Sequence, residues 1–251
     1  MSYFGHITTS YDRYLAGWLQ VHKFGENPTI TTGSDPEDIW DLGGAITVAN
    51  VFPAAAATTT VVCANVNDDI DGTGMKTVTV IGTNGAGAEI SQTVNCEGND
   101  GGSGVSTLGT DLKTISRMYG ATAGSGETNA GTVTGTIGGN NVSQITAGQG
   151  QTQQAVYTVP TGYSKYYITN WSVRLSGIQA TAEAECILAR RTGGVVRFQD
   201  HIVVVKGGTT AASVDLDVWI EVIAGDNIWI RAEEVSATVG VSATFDLVGI
   251  P

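Results

Sequence analysis

The sequence predicts an all-β protein: two consecutive antiparallel β-sandwich domains, the second jelly-roll-like, preceded by an N-terminal arm. Three observations carry this reading. Gly occurs 34 times in 251 residues, a density that destabilises helices and supplies tight turns. Thr and Val fill the runs between the glycines, and β-branched side chains suit a pleated surface. Several runs alternate with period two, as in Lys76-Thr-Val-Thr-Val-Ile and Val214-Asp-Leu-Asp-Val-Trp-Ile-Glu-Val.

Residues 1–34 differ from the rest of the chain. They hold Tyr3, Phe4, Tyr11, Tyr14, Trp18 and Phe24 outside any visible strand pattern. Tyr11 to Val21 has the spacing of a short amphipathic helix, although no capping box precedes it. An arm so rich in aromatics either docks on a partner or packs on its own domain. Tyr11, Tyr14, Trp18 and Phe24 are the candidate docking residues.

The first domain is expected over 35–150. Its strands are placed at Ala45–Val51, Thr58–Ala64, Lys76–Gly82, Glu89–Val94, Leu112–Tyr119, Gly131–Ile137 and Val142–Thr146. Between them lie Asp71-Gly-Thr-Gly, Thr83-Asn-Gly-Ala-Gly, Glu97-Gly-Asn-Asp-Gly-Gly-Ser-Gly and Gly138-Gly-Asn-Asn, pieces able to take the positive φ of tight hairpins. The Gln-rich stretch Ala147-Gly-Gln-Gly-Gln-Thr-Gln-Gln marks the boundary.

The second domain, 151–251, has longer strands. They are placed at Ala155–Val159, Lys165–Ser176, Ala182–Arg191, Val195–Val205, Ser213–Val222, Asn227–Val235 and Val239–Val248. In Ser213–Val222, the residues Val214, Leu216, Val218, Ile220 and Val222 are expected on one inner face. Such one-sided strands belong to an antiparallel sheet with one wet face.

Net charge is −12, unevenly spread. Phe24 to Gln153 carries thirteen acidic side chains against three basic ones, and Gln154 to Pro251 ten against seven. So acidic a surface repels phosphates and argues against nucleic-acid binding. No stretch approaches the roughly 18 apolar residues of a spanning helix, so no membrane partner is expected. Met1 to Ser10 has neither a basic start nor an apolar core, and synthesis in a cytoplasm is expected. Cys63, Cys96 and Cys186 form no CxxC pair and read as buried free thiols.

Little in the chain resembles catalytic machinery. HExxH, P-loop, GxSxG and dinucleotide motifs are missing. His6, His22 and His201 are far apart, and His201 reads as an outward polar residue of a strand. Carboxylate pairs suited to glycoside hydrolysis arise by chance in so acidic a chain, and at 7% aromatic it is poor in sugar-stacking side chains. Asn67, Asp69 and Asp71 before Gly72 match the first half of a calcium loop, but Val78 stands where its bidentate Glu belongs. An acidic hairpin turn is the simpler reading. Asn141-Val-Ser143 reads as a turn, and Arg190-Arg191 as a solvated one. No enzyme, cofactor or metal is expected.

Three stretches carry a resemblance. They are Val21-His-Lys-Phe-Gly-Glu-Asn-Pro with Pro36-Glu-Asp-Ile-Trp-Asp-Leu-Gly-Gly, then Gly72-Thr-Gly-Met-Lys-Thr-Val-Thr-Val-Ile-Gly, then Thr128-Asn-Ala-Gly-Thr-Val-Thr with Ile145-Thr-Ala-Gly-Gln-Gly-Gln-Thr-Gln-Gln-Ala-Val-Tyr-Thr-Val-Pro. The chain resembles virion structural proteins of tailed bacteriophages, particularly marine and cyanobacterial ones. The resemblance implies a non-enzymatic virion part: a head decoration or cement protein or a head fibre, and it supplies no catalytic residues. The expected partners are the major capsid protein or other virion proteins, with a homotrimer as the expected assembly. The alternative is a tail-associated or receptor-binding protein meeting a host surface glycan or protein, through loops such as Thr161-Gly-Tyr and Arg191-Thr-Gly-Gly.

Overall fold

The structure is a computed structural model that describes residues 17–33, 36–99, 104–176, 181–206 and 211–251. In chain order its elements are β1 (Leu19–Ile30), β2 (Glu37–Asp38), a one-turn helix α1 (Val48–Val51), β3 (Thr59–Cys63), β4 (Met75–Asn84), β5 (Glu89–Asn95), β6 (Val105–Thr107) and β7 (Leu112–Ala123). There follow β8 (Val133–Ile137), β9 (Asn140–Ile145), β10 (Val156–Thr158), β11 (Lys165–Ser176), β12 (Ala182–Thr192), β13 (Val195–Lys206), β14 (Ala211–Val222), β15 (Asn227–Val235) and β16 (Val239–Ile250). The chain is all-β and every paired strand is antiparallel.

One sandwich pairs a front sheet, β1-β16-β11-β14, with a back sheet, β10-β15-β12-β13, in which β2 also lies along β15. The other packs β6-β3-β8-β9 on β5-β4-β7. The first is the outer sandwich and the second the inserted one. The chain begins in the outer sandwich, leaves it after β2, builds the inserted sandwich, and returns. Trp40 and Gln154 bridge at the point of exit and return.

This corrects the expected arm. Leu19–Ile30 is the edge strand of the front sheet, paired from Leu19↔Gly249 to Ile30↔Val239, and no helix includes Leu19 to Val21. Its inward positions include Lys23, Gly25 and Asn27, all buried, so no apolar alternation marks it. Pro28 sits beside the irregularity between Asn27 and Ile30, as an edge strand permits. Ala45–Val51 is corrected too. Val48, Val51 and Phe52 have helical spacing, and α1 turns Val51 and Phe52 into the inserted core. β6 is a short strand with no counterpart among those the sequence predicts.

Each sandwich has a core. Trp171, Phe245, Ile168, Ile230 and Leu188 fill the outer one; Val61, Val80, Met118, Leu112 and Ile145 fill the inserted one. The two meet through the back sheet. Val156, Ala189 and Trp229 point out of that sheet into the inserted core, and Trp229 packs on Phe52 with ring centroids 5.6 Å apart. A strand covered on both faces reads as a continuous apolar run. Ile228-Trp-Ile, followed after Arg231 by Ala232, is such a run, and all four of these apolar residues are buried.

Threonine serves the inserted sheets in cross-strand pairs. Thr60–Thr136, Thr77–Thr122, Thr79–Thr93 and Thr83–Thr114 join hydroxyl to hydroxyl at 2.7–2.8 Å, a sheet-stabilising contact of about 0.2–1 kcal/mol each.

Candidate functional site

Of the two sequence-predicted docking residues that the structure describes, Trp18 and Phe24, it is Phe24 that lines a groove. The groove, about 220 Å³, runs between the sandwiches and is lined by β1, Ile81, Glu89, Ser116, Arg117, Thr152 and Tyr157. Phe24 is half-buried there, with the Arg117 guanidinium 5.9 Å from its ring centroid and 5.5 Å from that of Tyr119. Arg117 also donates to Gln151 Oε1 at 2.6 Å. Trp18 precedes β1 and is half-buried. Tyr11 and Tyr14 lie outside the described residues.

Lys23 is the chemically unusual member of the groove. β7 bulges at Ser116, between Arg117↔Ile81 and Ile115↔Gly82, and the Lys23 ammonium donates to the Ser116 carbonyl. Burial, reinforced by the Arg117 cation and opposed by Glu89, lowers the Lys23 ammonium from 10.5 to about 7. Glu89 in turn accepts from the Tyr157 hydroxyl at 2.9 Å, and burial pushes that phenol up. An amine that loses its proton near pH 7 has a nucleophile's character. Here it is enclosed and bound to a main-chain carbonyl, so the geometry makes it a fastening between sandwiches.

That fastening has a pH signature. The folded pKa of Lys23 lies below its unfolded value, so stability is lost as pH falls from about 10.5 towards 7. Between pH 9 and pH 7 the loss should be about 2 kcal/mol. Urea unfolding of the wild type and Lys23→Met at pH 7, 8 and 9 should show this slope in the wild type alone. Asp41 acts in the opposite sense. Burial, with Glu26 adding, raises it from 3.8 to about 7 against the bond from Gln153 N–H. Its contribution is therefore lost as pH rises from about 4 to 7.

The second half of the Gln-rich return, from Gln151 to Gln154, is pressed against β7, while Ala147 to Gln149 are exposed. Thr152 and Gln154 are buried. Gln154 accepts from Ser143 Oγ at 2.7 Å and donates to Ile115 O at 3.0 Å. Thr152 N–H donates to Met118 O at 2.9 Å.

At Asn67–Gly72 the residue that matters is the one a calcium pattern skips. Asp68 is fully buried and accepts from the N–H groups of Met75 (2.8 Å), Ala130 (2.7 Å) and Gly131 (2.8 Å). Asp69 Oδ1 accepts from Asp71 N–H at 3.0 Å, a local turn. Among the described residues no three His, Cys, Asp or Glu side chains converge as metal ligands do.

Arg190 corrects another expectation. Its Nε donates to Asp226 Oδ2 at 2.7 Å, with both side chains largely buried, so it is an internal ion pair and not a solvated turn. Arg191 reaches Phe52 O at 3.2 Å. The Thr161 loop is likewise tied to the inserted sandwich, Thr161 N–H donating to Gly87 O at 2.8 Å. Both loops offered for recognition therefore hold the sandwiches together. His201 is exposed on β13. Cys63, Cys96 and Cys186 are free and buried. The first two thiols hydrogen-bond each other, which lowers Cys63 and, with burial, raises Cys96.

Exposed apolar side chains occur along the two edge strands β13 and β14 and at the turn after them. Val195, Phe198, Val203, Val218 and Ile223 are all exposed there, Val218 at 83%. This corrects the inner face that strict alternation predicts for Val218. Asp215 pairs with Asn170 and Ile220 with Ile168, so Leu216 to Trp219 stand opposite Thr169 alone; Leu216 still packs on the core while Val218 is turned out. Beside the bulge, Trp219 lies 6.0 Å from Tyr167, ring to ring.

No family model matches the chain, and no curated protein is similar to it. Among solved structures, the VP2 subviral particle of infectious bursal disease virus is 8% identical, covering 92% of this chain and 75% of that one at a TM-score of 0.18. The Gx strain of the same virus gives 9% identity, 93% and 81% coverage and a TM-score of 0.12. Likenesses at this level establish neither fold nor function.

Proposed function

We propose that this chain is a non-enzymatic structural protein of a tailed-bacteriophage virion, a decoration or cement protein docked on the head shell. It is made in the host cytoplasm, assembles as a homotrimer and contacts the major capsid protein or other virion proteins. The observation that carries the reading is the exposed apolar side of β13 and β14 on a chain of net charge −12. An acidic chain resists indiscriminate association, while a concentrated apolar strip marks a surface made to be covered. The sequence stretches that resemble phage virion proteins support the same reading. Within those stretches, Asn129, Thr152 and Gln154 are buried and hydrogen-bonded to the inserted sandwich, to Thr146, Met118 and Ile115 respectively.

Shell docking falls to the segment ahead of β1, with Tyr11, Tyr14 and Trp18. Phe24 is already engaged by Arg117. Labelling the chain on imaged particles tests the assignment: label over the whole head is expected, and particles without label would overturn it. Removal of residues 1–16, which spares β1, should abolish shell binding; full occupancy without them would refute the docking role.

The second reading is a tail-associated protein that recognises a host surface glycan. The Tyr167–Trp219 pair favours it, since aromatic faces stack on sugars and Trp219 is exposed beside the half-buried Tyr167. Label confined to the tail, with host polysaccharide binding lost in Trp219→Ala, would decide for it. Turnover of that polysaccharide would make the chain a hydrolase instead.

A further inference from the structure

We infer that the side formed by β13 and β14 is the surface on which a second copy of this chain docks. The copies form a closed ring about an axis parallel to these strands. The inference rests on the proposed function in taking the chain as a multi-copy part, and it names the surface that makes the multimer.

β13 and β14 are each the last strand of their own sheet among the described residues, one in the back sheet and one in the front. They follow each other in the chain, so both sheets end at the same side of the sandwich. Each strand is twelve residues long. Long edges with exposed apolar side chains invite strand pairing, and folded proteins blunt or cover them. Here the exposed apolar side chains remain. Phe198 is 58% exposed, and the β14 bulge turns Val218 outwards instead of hiding it.

Charge identifies the occupant. The β13 sequence carries Arg197, His201 and Lys206. Its single acid, Asp200, accepts from the Trp171 indole N–H at 3.0 Å and is already engaged. The β14 sequence carries Asp215, Asp217 and Glu221 and no basic residue. Glu221 meets Lys165 only at 3.8 Å, with both side chains about half exposed, so its carboxylate is open to a stronger partner. Counted from the strand ends at Lys206 and Ala211, Arg197 stands at about the height of Glu221. A rotation parallel to the strands preserves height. It sets β13 of one copy antiparallel to β14 of the next, with opposite charges level. Another copy therefore supplies both complementary edges at once, and a rotation that closes leaves none exposed. The three-fold ring is the proposed trimer.

The test uses the purified full chain, without any particle. Sedimentation equilibrium at tens of micromolar should give a discrete multiple of the chain mass. Val218→Asp and Phe198→Asp, both at exposed positions, should give monomers with an unchanged far-UV circular dichroism spectrum. Arg197→Glu should weaken the assembly at least tenfold in dissociation constant, and adding Glu221→Lys should recover it. A monomeric wild type, open-ended aggregation, multimers that survive both apolar substitutions, or a charge swap that recovers nothing would each overturn the inference. A ring in solution together with unlabelled virions would overturn only the virion reading.

Discussion

Asp68→Ala is expected to lower the stability of the folded chain by about 4 kcal/mol, enough to leave a domain of ordinary stability partly unfolded. One buried carboxylate accepts three main-chain N–H groups, from Met75, Ala130 and Gly131. Bonds to a charged acceptor are the strong ones. Truncation also leaves three donors without a partner away from water, and that penalty exceeds the value of the bonds themselves. The same contacts tie the start of β4 to the segment leading into β8, so the inserted sandwich should loosen first. Asp68→Asn should be nearly as damaging, because half of its amide would present N–H to N–H. Urea midpoints of the two variants check this. Asp69→Ala and Asp71→Ala are the controls. Asp69 supports a local turn and Asp71 is exposed, so each should shift stability by no more than about 1 kcal/mol. If calcium addition moved the wild-type midpoint, and these two substitutions cancelled the shift, the calcium reading of the turn would return.

Gly25→Ala should cost about 3 kcal/mol, for a reason of position rather than of backbone angle. A Cβ there would stand 2.2 Å from Ala155 N, 2.5 Å from Ile39 O and 2.9 Å from Gln154 C. All three are main-chain atoms, where the chain leaves the outer sandwich and returns. None can swing aside as a side chain does, so β1 would have to lift from the two crossing segments. Gly109→Ala is the contrast, since a Cβ there meets only Gln92 Oε1 at 3.7 Å; it should change stability by about 0.5 kcal/mol or less. A Gly25→Ala protein with the wild-type urea midpoint would show that β1 does not lie against the crossing.

Both substitutions fall where the sequence was least informative. Asp68 lies inside a pattern that draws the eye to its neighbours Asn67, Asp69 and Asp71, because alternate acids before a glycine resemble a calcium loop. Burial picks out the residue between them, and only the arrival of Ala130 and Gly131 from far along the chain makes it necessary. β1 is the larger case. Its inner face holds Lys23, Gly25 and Asn27, which answer to a bulged carbonyl on β7, a backbone crossing and the Glu37 carboxylate. Apolar periodicity is a record of packing against side chains. A strand packed against main chain and charges leaves no such record, and a stretch of this kind reads as an arm. The same logic governs Val218. Perfect alternation points it inwards, and a bulge invisible in the sequence turns it out.

By itself, the sequence determined the all-β class, the strands from β10 to β16 and most of the inserted ones. Each is a local consequence of β-branched residues, period-two burial and glycine turns. The tertiary structure alone decided that the two sandwiches are nested and that Thr152 and Gln154 of the Gln-rich return are buried. It also decided that Arg190 is paired inside and that β13 and β14, edge strands of two different sheets, expose apolar side chains. Those facts depend on which distant segments meet, and a single sequence does not record who its partners in space are.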